Sequence, residues 1–156
     1  MNERIYDARE LGPGHYAMGQ LSPGDRIHTG TRQITAQMID DFAALSGDRF
    51  EIHMDRKRAQ AHGFEDRVAH GLLVLSVVDG LKNQAAAQFK AIASLGWSFQ
   101  FKAPVLAGDT IGVTITIEAM RPTSRPERGI LTLRFDVQNQ RGETVQTGEN
   151  RLMVYS

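Results

Sequence analysis

Two side chains that can transfer protons, Asp48 and His53, lie five residues apart. This spacing places two side chains about 140° apart on a helix and on opposite faces of a strand, so neither regular element brings them together. Gly47 can end the preceding helix in a left-handed conformation, which favours a curled loop over residues 48–53. A carboxylate and an imidazole turned toward one water are suited to general acid–base catalysis. Asp48 and His53 are therefore the candidate catalytic residues.

Asp48 and His53 belong to a longer pattern that closes with an aliphatic residue, a small residue, His and Gly. Its members are Phe42, Ser46, Gly47, Asp48, Ile52, His53, Val68, Ala69, His70 and Gly71. The pattern resembles the signature of the MaoC-like dehydratases, a hot-dog family that includes the type-2, R-specific enoyl-CoA hydratases. The resemblance continues through residues 101–105 and 108–109, so that it covers most of residues 24–155.

The resemblance implies a hydro-lyase that adds or removes water at the C2–C3 bond of an acyl-CoA thioester. It implies no metal and no cofactor other than the CoA of the substrate. Asp48 and His53 would share the proton transfers on one water, in an order that the sequence leaves open. Gly71 begins a helix, and its amide would bind the thioester oxygen, where negative charge develops during the reaction.

Ser46, His70 and Asp79 are the residues expected to support this site. His70 is expected to cap or orient the helix start rather than to react. The chain departs from the family where Phe50-Glu51 replaces the usual Asn-Pro, and where Asp79 places a charge late in an apolar helix. Proline would stiffen the loop, so Phe50-Glu51 leaves open how the loop is ordered here.

The same residues allow three alternative interpretations: two other functions and a metal site. A hot-dog thioesterase would use a carboxylate to direct water at the thioester carbon, although its acidic residue is placed differently. A non-catalytic acyl-thioester-binding subunit would account for Phe50-Glu51. A metal site could use some of Asp48, His53, Asp55, His62, Glu65 and His70, but no HExxH or other compact ligand spacing is present.

The elements that must position these residues begin with helices. Thr35 is a candidate N-cap for a helix that Gly47 ends, and Asp55 is one for a helix of two turns that Gly63 ends. From Gly71, the run Leu72–Val78 is apolar on every side, which predicts a helix enclosed by other elements.

The enclosing elements are predicted to be strands. Apolar residues alternate with polar ones over residues 111–117 and 131–137, and further strands fit residues 26–34, 95–102 and 144–154. Helices come first along the chain and antiparallel strands follow. This order of elements predicts an α+β fold, a single hot-dog domain in which an antiparallel sheet wraps around a long central apolar helix. We expect residues 1–23 to form an N-terminal arm and residues 24–156 to form the domain.

Composition limits the partners and the compartment. The 156 residues are 41% hydrophobic, and 18 Lys and Arg balance 18 Asp and Glu, so no overall field attracts nucleic acid or anionic lipid. The absence of cysteine excludes disulfides and thiolate chemistry. Residues 1–19 contain no apolar segment typical of a signal peptide, and Leu72–Val78 is too short to cross a bilayer. We expect a cytoplasmic protein that forms a homodimer or larger homo-oligomer, because a single sheet of this kind has exposed edges.

Overall fold

The computed structural model describes residues 8–156, and within that range seven strands and four α-helices follow one another. The strands are β1 (Gly14–Tyr16), β2 (Arg26–Gln33), β3 (Ala87–Phe89), β4 (Ala91–Phe101), β5 (Thr110–Pro122), β6 (Arg128–Asn139) and β7 (Thr144–Tyr155). The helices are α1 (Ala36–Ser46), α2 (Glu51–Met54), α3 (Arg56–Ala61) and α4 (Gly71–Gln84).

The main sheet has the strand order β2-β5-β6-β7-β4, and every neighbouring pair is antiparallel. The alternation in the sequence explains which face of each strand is buried. Along β5 the side chains of Ile111, Val113, Ile115 and Ile117 are buried, and the intervening residues are less so. Along β6 the side chains on the core-facing side are likewise buried: Leu131, Leu133, Phe135 and Val137. The predicted antiparallel sheet is confirmed.

Helix α4 packs against β2 and β5 through Leu73, Val74, Val78 and Leu81. Its apolar run is not buried on every side, because Leu72 is 61% exposed. The sheet of one chain covers only one face of a helix, and Leu72 lies on the opposite face.

Helix ends follow the predicted capping residues. The Thr35 hydroxyl accepts a hydrogen bond from the Met38 amide, and the Asp55 carboxylate accepts one from the Arg58 amide. Gly47 and Gly63 have φ of +79° and +92°, conformations that a residue without Cβ adopts readily. The segment 48–53 differs from prediction, because only its first part is a loop and His53 lies in the single turn of α2. The peptide groups of α2 gain local hydrogen bonds in this way.

The predicted N-terminal arm lies partly outside the described residues, which begin at Ala8. The described part runs along the domain, since β1 pairs in parallel with β3 and Arg9 forms an ion pair with the buried Asp25. Leu21 is buried in the core. Among the described residues, no helix is both long enough and apolar enough to span a membrane.

Candidate active site

A cleft of about 540 Å³ lies between α2, the start of α4 and the chain that follows β4. Asp48, His53, His70 and Gly71 all line it, together with apolar side chains such as Ile52 and Val105. The structure therefore brings together residues that are up to 23 positions apart in the sequence. A concave apolar site with a few converging polar groups is typical of small-molecule binding.

The Asp48 and His53 side chains face each other across 3.9 Å, measured from Asp48 Oδ2 to His53 Nε2. That distance is too long for a direct hydrogen bond, but one water oxygen can lie about 2.8 Å from both atoms. His53 Nδ1 lies 2.6 Å from the Val68 carbonyl oxygen, which can only accept, so Nδ1 carries a proton. In the neutral ring, Nε2 is then unprotonated and can accept a proton from that water.

Hydrogen bonds fix both the backbone and the carboxylate of Asp48, and two of the predicted supporting residues take part. The Asp48 amide donates to Ser46 Oγ, which in turn donates to the Phe42 carbonyl. His70 Nε2 donates to the Asp48 carbonyl over 2.8 Å. One Asp48 carboxylate oxygen accepts from the Phe50 amide, which leaves the other directed at His53.

His70 also supports His53, because the two imidazoles stack with their centroids 3.9 Å apart. His70 is almost fully buried, and burial is the main cause that lowers its pKa. A neutral His70 places no positive charge against the His53 ring on which it stacks. Its contacts are those of a residue that positions Asp48 and His53.

Arg67 is a supporting residue that the sequence patterns did not indicate. Its Nε donates to the His53 carbonyl over 2.5 Å, and its Nη2 binds Asp40 of α1. The Val68 amide donates to the Ile52 carbonyl next to it. Helix α2 is only one turn long, so these contacts fix its position. No local motif predicts them, because they join residues 14 to 27 positions apart.

Glu51 fixes the other end of α2. Its carboxylate accepts hydrogen bonds from His62 Nε2 over 2.7 Å and from Arg58 Nη1 over 3.1 Å, which ties α2 to α3 and the residue after it. The hydrogen bond from His62 is the largest cause that lowers the pKa of Glu51. Phe50-Glu51 thus supplies ionic contacts at the position where proline would supply stiffness.

Gly71 is the first residue of α4, as predicted, and the Phe101 ring lies directly against it. A Cβ built on Gly71 would overlap the Phe101 ring, so the close approach of the ring requires glycine. The Gly71 carbonyl accepts a hydrogen bond from the buried Gln146. Gln146 is a further part of the site wall that sequence reasoning missed.

Asp79 is the one predicted supporting residue that the structure does not bring to the cleft. It lies two turns further along α4, where its carboxylate is 3.5 Å from Lys82 Nζ. Lys82 Nζ in turn lies 5.3 Å from the centre of the Trp97 ring. Asp79 offsets the charge of a largely buried lysine.

Asp48, His53 and His70 also offer ligand atoms within 4.8 Å of one another, the spacing of a metal site. A metal ion lies near the plane of each imidazole that binds it, about 2.1 Å from the nitrogen. The two rings are stacked and only 27° from parallel, so their planes do not meet at such a point. The geometry fits hydrogen bonding to one small molecule better than it fits a shared metal ion.

Comparison with known families places the chain in one family. The family model described as MaoC like domain matches residues 20–139. The chain therefore belongs to the MaoC-like dehydratase family, as its residue pattern predicts.

Individual relatives agree with this assignment. The chain is 38% identical over 110 residues to Protein MaoC of Klebsiella aerogenes, covering 70% of this chain but only 32% of that protein. It is 33% identical over 119 residues to the (R)-specific enoyl-CoA hydratase of Aeromonas caviae, covering 76% of this chain and 85% of the relative.

A solved structure identifies the fold. A conserved Mycobacterium tuberculosis protein described as having a double hot-dog fold superposes with a TM-score of 0.78 at 20% identity, over 93% of this chain and 44% of that one. The chain therefore has a hot-dog fold, which confirms the predicted fold class.

The contact between Gly71 and Phe101 gives a prediction about stability. We expect Gly71→Ala to lower the thermal unfolding midpoint, because the new methyl group overlaps the Phe101 ring. Adding Phe101→Ala should recover most of that loss, so the two substitutions should be strongly non-additive. Thermal unfolding of the two single variants and the double variant measures this coupling. A Gly71→Ala protein with an unchanged midpoint would contradict the close packing.

Proposed function

We propose that the protein is a hydro-lyase that adds water to, or removes it from, the C2–C3 bond of an acyl thioester. The observation that carries this proposal is the 3.9 Å separation of Asp48 Oδ2 and His53 Nε2 inside a mostly apolar cleft. Such a pair can hold one water and exchange protons with it, and a hydro-lyase needs no more than that from its acid–base groups.

In the hydration direction, each residue of the site has its own role. His53 Nε2 takes a proton from the water while the water oxygen forms its bond to C3. The C2–C3 π electrons move toward the thioester, and the Gly71 amide at the start of α4 stabilises the charge on its oxygen. The Asp48–His53 pair then returns a proton to C2, and dehydration is the reverse sequence.

The comparisons support this reaction class over the alternatives. A relative of matching length is named an (R)-specific enoyl-CoA hydratase, which favours an (R)-3-hydroxyacyl thioester as the hydrated species. A thioesterase would release free thiol, and a binding subunit would bind thioesters without turnover.

The proposal is tested with a panel of enoyl-CoA and 3-hydroxyacyl-CoA thioesters of different chain length. We expect loss of the conjugated-enoyl absorbance with enoyl substrates and gain with hydroxyacyl substrates, without release of free thiol. Activity should survive dialysis against a chelator, because no step needs a metal ion. Free thiol in place of hydration would identify a thioesterase instead.

Asp48→Asn and His53→Ala should each reduce kcat by about 10²-fold or more, because each removes a group that exchanges protons with the water. The double variant should lose little more than either single one, since both groups act on the same water. Asp41→Asn and His28→Ala are matched controls on exposed residues outside the cleft. Wild-type activity in either site variant would remove that residue from the mechanism.

We also propose that two copies of the chain associate through strand β4. This strand is an edge of the main sheet, 11 residues long, and Leu95 and Phe101 on it are exposed. Leu72 on the uncovered face of α4 is exposed as well. An unpaired apolar edge is a template for pairing with another chain.

Sedimentation should therefore give at least twice the 17.3 kDa of one chain at micromolar concentration. Leu95→Arg should weaken the association, whereas Leu45→Arg, on the highly exposed Leu45 of α1, should not. A monomeric wild-type protein would refute the proposed dimer.

A further inference from the structure

Gln146 is a buried polar side chain in the wall of the cleft, and the proposed reaction gives it no role. It is 2% exposed and lines the cleft together with Val74 and Phe101. Its Nε2 donates to the Gly71 carbonyl over 3.0 Å. Its Oε1 is buried and has no hydrogen-bond partner among the described residues. Leaving a buried acceptor unpaired is destabilising, and a donor on a bound molecule would remove that cost.

The contact with Gly71 fixes the orientation of the Gln146 amide. A carbonyl oxygen only accepts hydrogen bonds, so the part of the amide that faces the Gly71 carbonyl must be its NH2 group. The other end of the amide, Oε1, is therefore an acceptor with no proton to give. A ligand group that binds Oε1 has to supply the proton.

Gln146 lies beside the path of the acyl chain. In an α-helix the amides point toward the N-terminus and the carbonyls toward the C-terminus. The Gly71 amide, which is proposed to bind the thioester oxygen, therefore points out of α4. The Gly71 carbonyl that binds Gln146 points back along α4, in the direction of Val74. Val74 is buried and lines the cleft, so this region holds the acyl chain, whereas the polar CoA portion extends to the solvent.

The chemistry of this region selects a neutral donor. A carboxylate would be repelled by the partial negative charge on Gln146 Oε1. An ammonium group would leave water for a mostly apolar wall, and Asp48, the one carboxylate that lines the cleft within the described part of the chain, is directed at His53. A hydroxyl group donates a hydrogen bond without carrying a charge, and it is small.

Phe101 borders the way to the Gln146 amide. The two residues lie directly opposite each other in the β4–β7 pair, and the Phe101 ring lies against Gly71. Phe101 is 56% exposed, so its ring has room to turn toward the solvent when an acyl chain enters. A chain that lies between Phe101 and Val74 then reaches Oε1.

We propose that Gln146 makes the protein specific for thioesters whose acyl chain carries a hydroxyl group beyond C3. This inference rests on the proposed function, because it concerns the part of the chain that follows the reacting C2–C3 bond. The acyl hydroxyl donates to Oε1, while Nε2 keeps its hydrogen bond to Gly71. A plain alkyl chain in the same place leaves Oε1 unpaired, and a site built to bind a hydroxyl rejects the analogue without it for that reason.

The test compares (E)-2-hexenoyl-CoA with the three thioesters that carry a hydroxyl on C4, C5 or C6. We expect at least one hydroxylated thioester to exceed the plain one in kcat/KM by about 10-fold or more. Gln146→Met keeps the size of the side chain and removes both polar atoms, so this preference should fall below about twofold. Gln100→Met is the matched control, because the exposed Gln100 lies on β4 too but lines a separate cavity.

Other patterns of turnover overturn the assignment. A wild-type protein that converts all four thioesters equally well, or that prefers the plain one, would show that Oε1 does not recognise a hydroxyl. A hydroxyl preference that Gln146→Met retains would assign the recognition to another residue. If that variant also converts every thioester more slowly, Gln146 serves to position Gly71 instead.

A binding measurement separates this inference from the proposed reaction. If no thioester is hydrated, or if Gln146→Met does not fold, the wild-type protein is titrated by calorimetry with hexanoyl-CoA and with the matching hydroxyhexanoyl-CoA thioesters. A Kd about 10-fold lower for a hydroxylated thioester would support the recognition of the acyl hydroxyl even though the reaction had failed. Equal Kd values for all of them, or no binding of any, would refute it.

Discussion

The site depends on the main chain of Val68, which binds α2 through both of its polar groups. Its carbonyl accepts from His53 Nδ1 over 2.6 Å, and its amide donates to the Ile52 carbonyl. The neighbouring residues are hydrogen-bonded on their other side to the chain after β4, since Ala69 donates to the Val105 carbonyl and Ala107 donates to the Arg67 carbonyl. This extended segment therefore joins the helix that carries His53 to the sheet that supports α4. It also sets the tautomer of His53, and with it the direction in which that ring can accept a proton.

Most of the remaining polar contacts keep Asp48 and His53 apart at a distance that suits one shared water. Ser46 and His70 hold the Asp48 backbone, while Arg67 and Glu51 hold the two ends of α2. A four-residue helix has little stability of its own, because its few hydrogen bonds do not offset the cost of ordering the chain. Its position must come from contacts with groups outside it. In this chain, ionic contacts of Glu51 stiffen the segment where the family commonly uses proline.

The cleft combines a large apolar lining with a few polar side chains. Those polar side chains are Asp48, His53, His70, Lys102 and Gln146. The packing of Phe101 on Gly71 closes the start of α4 from one side. The face of α4 that points away from the sheet is not covered by this chain, because Leu72 on that face is exposed.

The sequence by itself determined the periodic and local features. Alternating apolar and small or polar residues specify β5, and Thr35 and Gly47 specify the ends of α1, because these signals depend on neighbouring residues. The residue pattern that contains Asp48, His53 and His70-Gly71 predicts the candidate site residues. Tertiary structure alone decided the roles of Arg67, Gln146 and Asp79, which depend on contacts between distant segments. It also decided that His53 lies in a helical turn, since that turn is bound from outside by Val68 at His53 and by Arg58 and His62 at Glu51. Side-chain contacts of this range leave no periodic trace in a sequence, because any residue of suitable chemistry can make them once the fold has brought it near.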